Sequence, residues 1–311
     1  MTKDMEEKKI FLLIDGSAIL HRAYHAMPDF MTHEGVPTGA VFGFFSMLLK
    51  LLQEIKPAYI AVAFDKSKPT IRQTMYAGYH ANRPKAADGL RDQFSVVRKV
   101  LAETSIPVYE VDGYEGDDVV GTINEKVNQE LKDTIVYIVT GDRDMMQLVD
   151  TDTKVLMPVK GISEVMLYDR VRVEEKFGVT PEQIIDYKAL IGDPSDGYPG
   201  VAGIGPKTAA QLIQKYGTLE GVYKNLGQIE QENPKLGVKL AEGTEAAGLA
   251  KQLATIVNDT PFIFDISDCT IDHLSREKFE AAFGKYEFRS LIKRLDDVYA
   301  EKQNKSQMKL L

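Results

Sequence analysis

The sequence predicts an α/β fold: a mostly parallel central sheet with helices on both faces, followed by a smaller all-helical region. Three observations carry that prediction. Apolar runs at Lys9–Ile14 (KIFLLI), Tyr59–Phe64 (YIAVAF) and Ile135–Val139 (IVYIV) recur between helical segments, as buried parallel strands joined by crossover helices do. Aspartates follow each run closely, namely Asp15, Asp65 and the pair Asp142 and Asp144. After about Gly178 the strand signals give way to capped helices. Parallel strands present their carboxyl ends along one edge of the sheet, where open α/β folds bind ligands.

The 311 residues, 44% of them apolar, suffice for one large α/β unit with an appendage. A single cysteine, Cys269, excludes an intrachain disulfide and a thiolate metal site, and suits a reducing compartment. It reads as a small buried hydrophobe. The N-terminus MTKDMEEKK is too polar for a signal peptide. Ala40–Leu52 is too short to span a membrane. The expectation is a soluble, cytoplasmic monomer that does not touch the membrane. The net charge of −8 opposes a nucleic-acid partner only if the acids are spread over the surface.

In chain order, Lys9–Ile14 is a strand ending in Asp15-Gly16-Ser17, and Thr38–Ile55 is a buried crossover helix closed by Pro57. Tyr59–Phe64 repeats the strand pattern and ends in Asp65. Lys66 to about Pro84 is basic and aromatic with little apolar periodicity, which reads as an exposed gripping segment. A helix from about Gly89 to Glu103 and a short strand, Ile106–Val111, lead into Glu115-Gly116-Asp117-Asp118, at the mouth of a helix over Val119–Leu131. Carboxylates suit a helix N-terminus, but capping accounts for one or two of them, not three. Lys154–Met157 and Glu164–Tyr168 form a sheet-edge pair around a Lys160-Gly161 turn. Thr180-Pro181-Glu182-Gln183 is a capping box that starts a helix to Ile191. Then come Asp193, Asp196 and a glycine-rich loop, Gly200–Gly205, before a helix to Tyr216. Two helices around such a loop form a hairpin whose free amides can hold a phosphate without reading bases. The remainder to about Val298 is helical apart from a strand-like stretch at Phe262–Ile266, and Glu301–Leu311 is a polar, mobile tail.

The carboxylates gathered this way are Asp15, Asp65, Glu115, Asp117, Asp118, Asp142, Asp144, Asp193 and Asp196. In one crevice they would repel one another strongly, and divalent cations are the natural remedy. An oxygen-only donor set selects Mg²⁺ or Mn²⁺ over Zn²⁺. Two such ions can activate a water and stabilise a departing oxygen in phosphodiester cleavage. A lone strand-end aspartate is more often a turn residue; Asp15 and Asp65 in particular could act through water. Setting the nine aside leaves the rest of the chain near neutral, so the acidic total no longer opposes DNA.

The blocks FLLIDGS, AVAFD, YHANRP, GYEGDD, TGDRD and GDPSDGYPGVAGIGPKTA, in this order and spacing, resemble the 5′-to-3′ exonuclease domain of bacterial DNA polymerase I and its free-standing relatives, in the flap endonuclease superfamily. The resemblance covers Ile10 to roughly Leu295. It implies a PIN-like nuclease core over 1–178 with a helical arch at about 66–100. A helical region over 179–298 would carry a helix-hairpin-helix-type motif, ahead of a tail at 299–311. It implies a structure-specific 5′ nuclease, both exonuclease and flap endonuclease, serving DNA replication and repair. By that similarity Asp15, Asp65, Glu115, Asp117, Asp118, Asp142 and Asp144 form a first metal cluster, while Asp193 and Asp196 hold or approach a second metal. Gly203, Ile204 and Gly205, with Lys207 and Thr208, would bind the duplex backbone, with a K⁺ held by loop carbonyls. Arg72, Tyr76 and Tyr79 would contact DNA on the arch. The tyrosines suit base stacking there or could be ordinary packing aromatics.

Three departures stand out. The family's Tyr-Lys is Tyr79-His80 here, which leaves Arg83 as the fixed cation at the scissile phosphate and predicts weaker or more pH-dependent cleavage. Ser-Asp-Asn appears as Ser195-Asp196-Gly197, and Glu-Ala-Asp-Asp as Glu115-Gly116-Asp117-Asp118. The first two motivate a rival reading, a branched-DNA binding module that cleaves weakly or not at all. The last residues, with Gln307, Met308, Leu310 and Leu311, resemble short peptides that dock on the bacterial sliding clamp, although short motifs match by chance and a frayed terminal helix is the plainer reading.

Overall fold

The computed structural model describes residues 8–66, 69–81, 83, 87–161 and 164–308, the last of these, from 300 on, as helix backbone alone. The chain opens with β1 (Lys9–Asp15), α1 (Gly16–Ala26) and α2 (Gly39–Ile55), followed by β2 (Tyr59–Ala63). α1 was not legible in the sequence. It starts on Gly16-Ser17, and its N-cap is Asp15, whose carboxylate accepts the Ala18 amide. α2 ends where Lys56 turns left-handed ahead of Pro57.

The arch segment holds the short α3 (Ile71–Met75), a turn at Gly78–His80 and α4 (Asp88–Glu103). Next come β3 (Val108–Tyr109), α5 (Gly116–Glu130) and β4 (Thr134–Val139), then the antiparallel pair β5 (Thr153–Lys160) and β6 (Glu164–Tyr168).

The helical region begins with α6 (Arg170–Phe177) and a turn capped by Thr180 that runs into α7 (Ile184–Ile191). A two-strand ladder follows, β7 (Gly192–Asp193) with β8 (Tyr198–Pro199). Then come α8 (Pro206–Tyr216), α9 (Leu219–Lys224), α10 (Leu226–Glu232), α11 (Pro234–Glu242) and α12 (Thr244–Ala254). The chain closes with α13 (Arg276–Lys285) and α14 (Arg289–Met308).

Two expectations are corrected here. Phe262–Ile266 forms no named strand: its aromatic rings pack on Tyr109 while the backbone stays irregular. The polar tail is not loose through Met308 but continues α14, in keeping with its Glu, Lys and Gln content.

The main sheet runs β3-β2-β1-β4-β5-β6, parallel except for the edge strand β6. Alternate residues of β1 serve opposite layers, as strand geometry requires. Phe11 and Leu13 join a core shared with α5 and the helical region, and Leu12 and Ile14 join the core of α1, α2, α4, α13 and α14. The central strands β1, β2 and β4 point their carboxyl ends the same way, so Asp15, Asp65 and Asp142 emerge along one edge. Among the described residues no helix is long and apolar enough to cross a membrane.

Candidate active site

Each acid is set by a local feature of the backbone. Asp15 ends β1, and its oxygens are taken by the Ala18 amide (3.0 Å) and the Thr140 hydroxyl (2.7 Å). Burial, opposed by these bonds and reinforced by Asp65, raises its carboxyl to about 7. Asp65 follows β2 and accepts the Gly116 amide at 2.6 Å, which draws the start of α5 over it. A side chain at 116 would meet that carboxylate at 3.1 Å, so glycine suits this close approach. Asp142 sits beyond β4, its amide held by the Thr140 hydroxyl and its carboxylate accepting the Asp144 amide, both at 2.9 Å.

The start of α5 places Glu115 and Asp117 on the crevice. Glu115 is held by the hydroxyls of Thr70 and Tyr79, both at 2.9 Å, and by Arg72 at 3.2 Å. Burial, only partly offset by Arg72 and aggravated by Asp118 and Glu115, pushes the Asp117 carboxyl well up. Asp118 points the other way. It is fully buried, and both of its oxygens bind the Arg72 guanidinium.

On the far side, oxygens of Asp144, Asp193 and Asp196 lie within 4.8 Å of one another. Lys188 was missed in the sequence. Its ammonium donates to Asp144 and, at 2.6 Å, to Asp193. Burial works to lower the Lys188 pKa, but Asp144 and Asp193 override it and hold the ammonium charged. Burial likewise raises Asp193, yet bonds from Lys188 and Ser195 keep it below the usual carboxylate range. Burial and the Asp142 charge raise Asp144 to about 7, against Lys188.

The arch base closes over this loop. The His80 amide donates to the Asp196 carbonyl at 2.7 Å, and its ring Nε2 lies 3.1 Å from the Asp196 carboxylate. Gly197 has φ +82°, and a side chain there would strike the Gly78 carbonyl at 2.7 Å. The Ser195-Asp196-Gly197 variant therefore permits an approach that a larger residue would block. Arg83 lines the same crevice, its Nη1 3.5 Å from the His80 ring.

Asp15, Asp65, Glu115, Asp117, Asp142, Asp144 and Asp196, with His80 and Arg83, line a cavity of about 470 Å³ beneath the arch. A wider cavity of about 1100 Å³ adjoins it and adds Arg22, His25, Arg143 and Lys188. The structure thus brings Asp15, Asp65, Glu115, Asp117, Asp142, Asp144, Asp193 and Asp196 to one crevice. These oxygen donors suit a hard divalent cation: Arg72 and Lys188 balance only part of their charge.

Several sequence-based assignments change. Arg72 is 2% exposed and offers no surface to DNA, because its charge is spent on Asp118 and Glu115. Tyr79 is 6% exposed, stacked between the His80 and Tyr198 rings, so it packs rather than presents a face to bases. Tyr76 is half-buried against the same cluster. At the hairpin, Gly203, Gly205 and Lys207 are exposed and Thr208 is half-buried, whereas the Ile204 side chain is buried in the core, leaving only its backbone for a ligand. Pro206 begins α8, so its first-turn amides face outward without helical partners.

The family model for the 5′-3′ exonuclease N-terminal resolvase-like domain matches residues 10–178, and that for the 5′-3′ exonuclease C-terminal SAM fold matches 179–277. The chain belongs to the 5′-3′ exonuclease family. A 5′-3′ exonuclease of Aquifex aeolicus is 35% identical over 298 residues, covering 96% of this chain and 99% of that protein. DNA polymerase I of Caldicellulosiruptor bescii is 40% identical over 287 residues, which is 91% of this chain. The chain spans about a third (33%) of that polymerase's length. Among solved structures, the bacteriophage T5 D15 flap endonuclease in complex with DNA and metal ions superposes with a TM-score of 0.65 at 19% identity, covering 93% of this chain and 99% of that one. The catalytic core of Rad2 with DNA substrate gives 0.60 at 16% identity, covering 94% and 93%. At such identities these two likenesses show the fold alone.

Proposed function

We propose that this 5′-3′ exonuclease hydrolyses phosphodiesters of branched or nicked DNA in replication and repair, cutting 5′ flaps and trimming 5′ ends with two divalent metal ions. The observation that carries this reading is the convergence of carboxylates from β1, β2, the α5 start, the β4 exit and the β7 loop on one crevice flanked by Arg83 and Lys188. Bound there, Mg²⁺ or Mn²⁺ would supply Lewis acidity toward the phosphodiester and lower the pKa of a water. Glu115, Asp117, Asp142 and Asp144 would hold one ion, and Asp193 with Asp196 the other. Asp15, with both oxygens already taken by protein donors, and Asp65 would act through water. Arg83 and His80 would fix the scissile phosphate.

The hairpin of 179–277 would seat the duplex on the Gly203–Gly205 backbone, Lys207 and Thr208, while the 1–178 core cuts. A K⁺ on this loop fits less well, since the Lys239 ammonium already lies on the Gly203 carbonyl at 3.1 Å. We further propose a cytoplasmic monomer with a sliding clamp as a partner. Of the clamp-docking residues, Leu310 and Leu311 lie outside the described residues; Gln307 and Met308 lie on the last turn of α14.

A labelled 5′-flap substrate incubated with and without Mg²⁺ tests the reading. Mg²⁺-dependent release of the flap is the expected result. Tight binding with no cleavage at any metal concentration would instead favour the rival binding module. Deleting residues 307–311 and measuring clamp affinity tests the partner: unchanged affinity ends that idea.

A further inference from the structure

Arg72 was expected on the DNA face and Asp118 among the metal ligands; the structure gives both another task. The Arg72 guanidinium donates Nη1 to Asp118 Oδ2 and Nη2 to Asp118 Oδ1, each at 2.7 Å. This is the planar two-bond fork that makes arginine–carboxylate pairs strong and directional. Arg72 also donates Nε to the Leu253 carbonyl at 2.9 Å and Nη2 to the Thr255 carbonyl at 2.8 Å. Asp118 is 0% exposed and accepts two backbone amides besides, Glu115 N on Oδ2 at 3.1 Å and Val257 N on Oδ1 at 2.9 Å.

Each Asp118 oxygen therefore carries one guanidinium and one amide donor, which fills it. A cation could reach Asp118 only by displacing a buried arginine. The partners belong to separate parts of the fold. Arg72 lies in α3 at the arch base, Asp118 in the first turn of α5 beside Glu115 and Asp117, and Leu253–Val257 is the segment where α12 ends.

We infer that Arg72 and Asp118 are a positioning pair: their fork sets Glu115 and Asp117 and ties the arch base and the helical region to them, while Asp118 takes no metal. The inference rests on the metal-dependent reading of the crevice. Without the fork, the α5 start keeps its Asp65 contact and the hydroxyls on Glu115 but loses its tie to α3 and to the Leu253 and Thr255 carbonyls, and the buried Asp118 charge is left with backbone amides and no countercharge. Supporting groups of this kind typically change metal affinity by about 10–100-fold when removed.

The test is Mn²⁺ titration of the full chain without DNA, free Mn²⁺ being read by its EPR signal. Arg72→Gln is expected to weaken Mn²⁺ binding by about 10–100-fold. Adding Asp118→Asn to a chain whose fork is already gone should weaken binding no further. Were Asp118 a ligand, the second substitution would weaken binding further, and that result overturns the inference. Should Arg72→Gln fail to fold, Asp118→Asn and the double variant decide: both should bind the wild-type number of ions, and loss of an ion from either overturns it. Wild-type chain that binds no Mn²⁺ would refute the metal reading itself, and the pair's role with it.

Discussion

Lys188 is bonded to Asp144 in the floor of the crevice, with the two side chains 10% and 11% exposed. The ammonium thus stands among the acids where positive charge is needed. Replacing it by methionine leaves Asp144 and Asp193 without their cation. Breaking a buried pair from one side costs on the order of 3 kcal/mol. Urea unfolding of Lys188→Met at pH 8 in EDTA should show a loss of that order, and Mg²⁺ should restore more stability to the variant than to the wild type. Equal stability in EDTA would show that the pair contributes nothing.

Asp15 and Asp144 are both raised to about 7, chiefly by burial. A carboxyl raised on folding binds its proton more tightly in the folded state, so the metal-free fold is favoured at low pH. That advantage declines as pH rises from the unfolded value near 4 through 7. The Tm in EDTA should therefore fall between pH 5 and pH 8. Divalent metal competes with those protons, so Mg²⁺ should raise Tm more at pH 8 than at pH 5. The reverse order in thermal scans would contradict the burial account.

Gly197 and His80 act together. A methyl group at 197 would have to sit at positive φ and 2.7 Å from the Gly78 carbonyl. Gly197→Ala should cost about 1–3 kcal/mol and lift the arch base off Asp196, lowering flap cleavage with little change in duplex affinity. Unaltered stability and rate would mean that the segment yields freely.

His80→Lys supplies the fixed cation that the family resemblance places here. It should raise kcat/KM on a 5′ flap at neutral pH. A fall in rate would show that the His80 contact with Asp196 matters more than phosphate charge.

Lys207 stands exposed in the first turn of α8. If it meets a phosphate, Lys207→Ala should weaken duplex binding evenly across sequences and lower the slope of log K against log salt by about 1. An unchanged slope would remove it from the interface.

The strands were legible because runs such as Phe11–Ile14 and Val136–Val139 have no polar side to expose, and aspartates at their ends are a simple positional signal. α1 was hidden because it is short and follows β1 without a break, its cap being the aspartate that ends the strand. Arg72 and Tyr79 were misplaced because a basic, aromatic segment reads as surface, and nothing local shows that Asp118 and Glu115 will bury them. Lys188 left a trace that could have been followed. It sits in IIDYKALI, a helix so apolar around it that a lysine there must find carboxylates.

The central claim is that the carboxylate crevice performs the cleavage. The most direct measurement compares the wild type with Asp142→Asn on one labelled 5′-flap duplex, recording cleavage in Mg²⁺ and affinity in EDTA. Cleavage slowed by about 10²-fold or more, with affinity close to wild type, is the predicted result. Equal cleavage by the two proteins would contradict it.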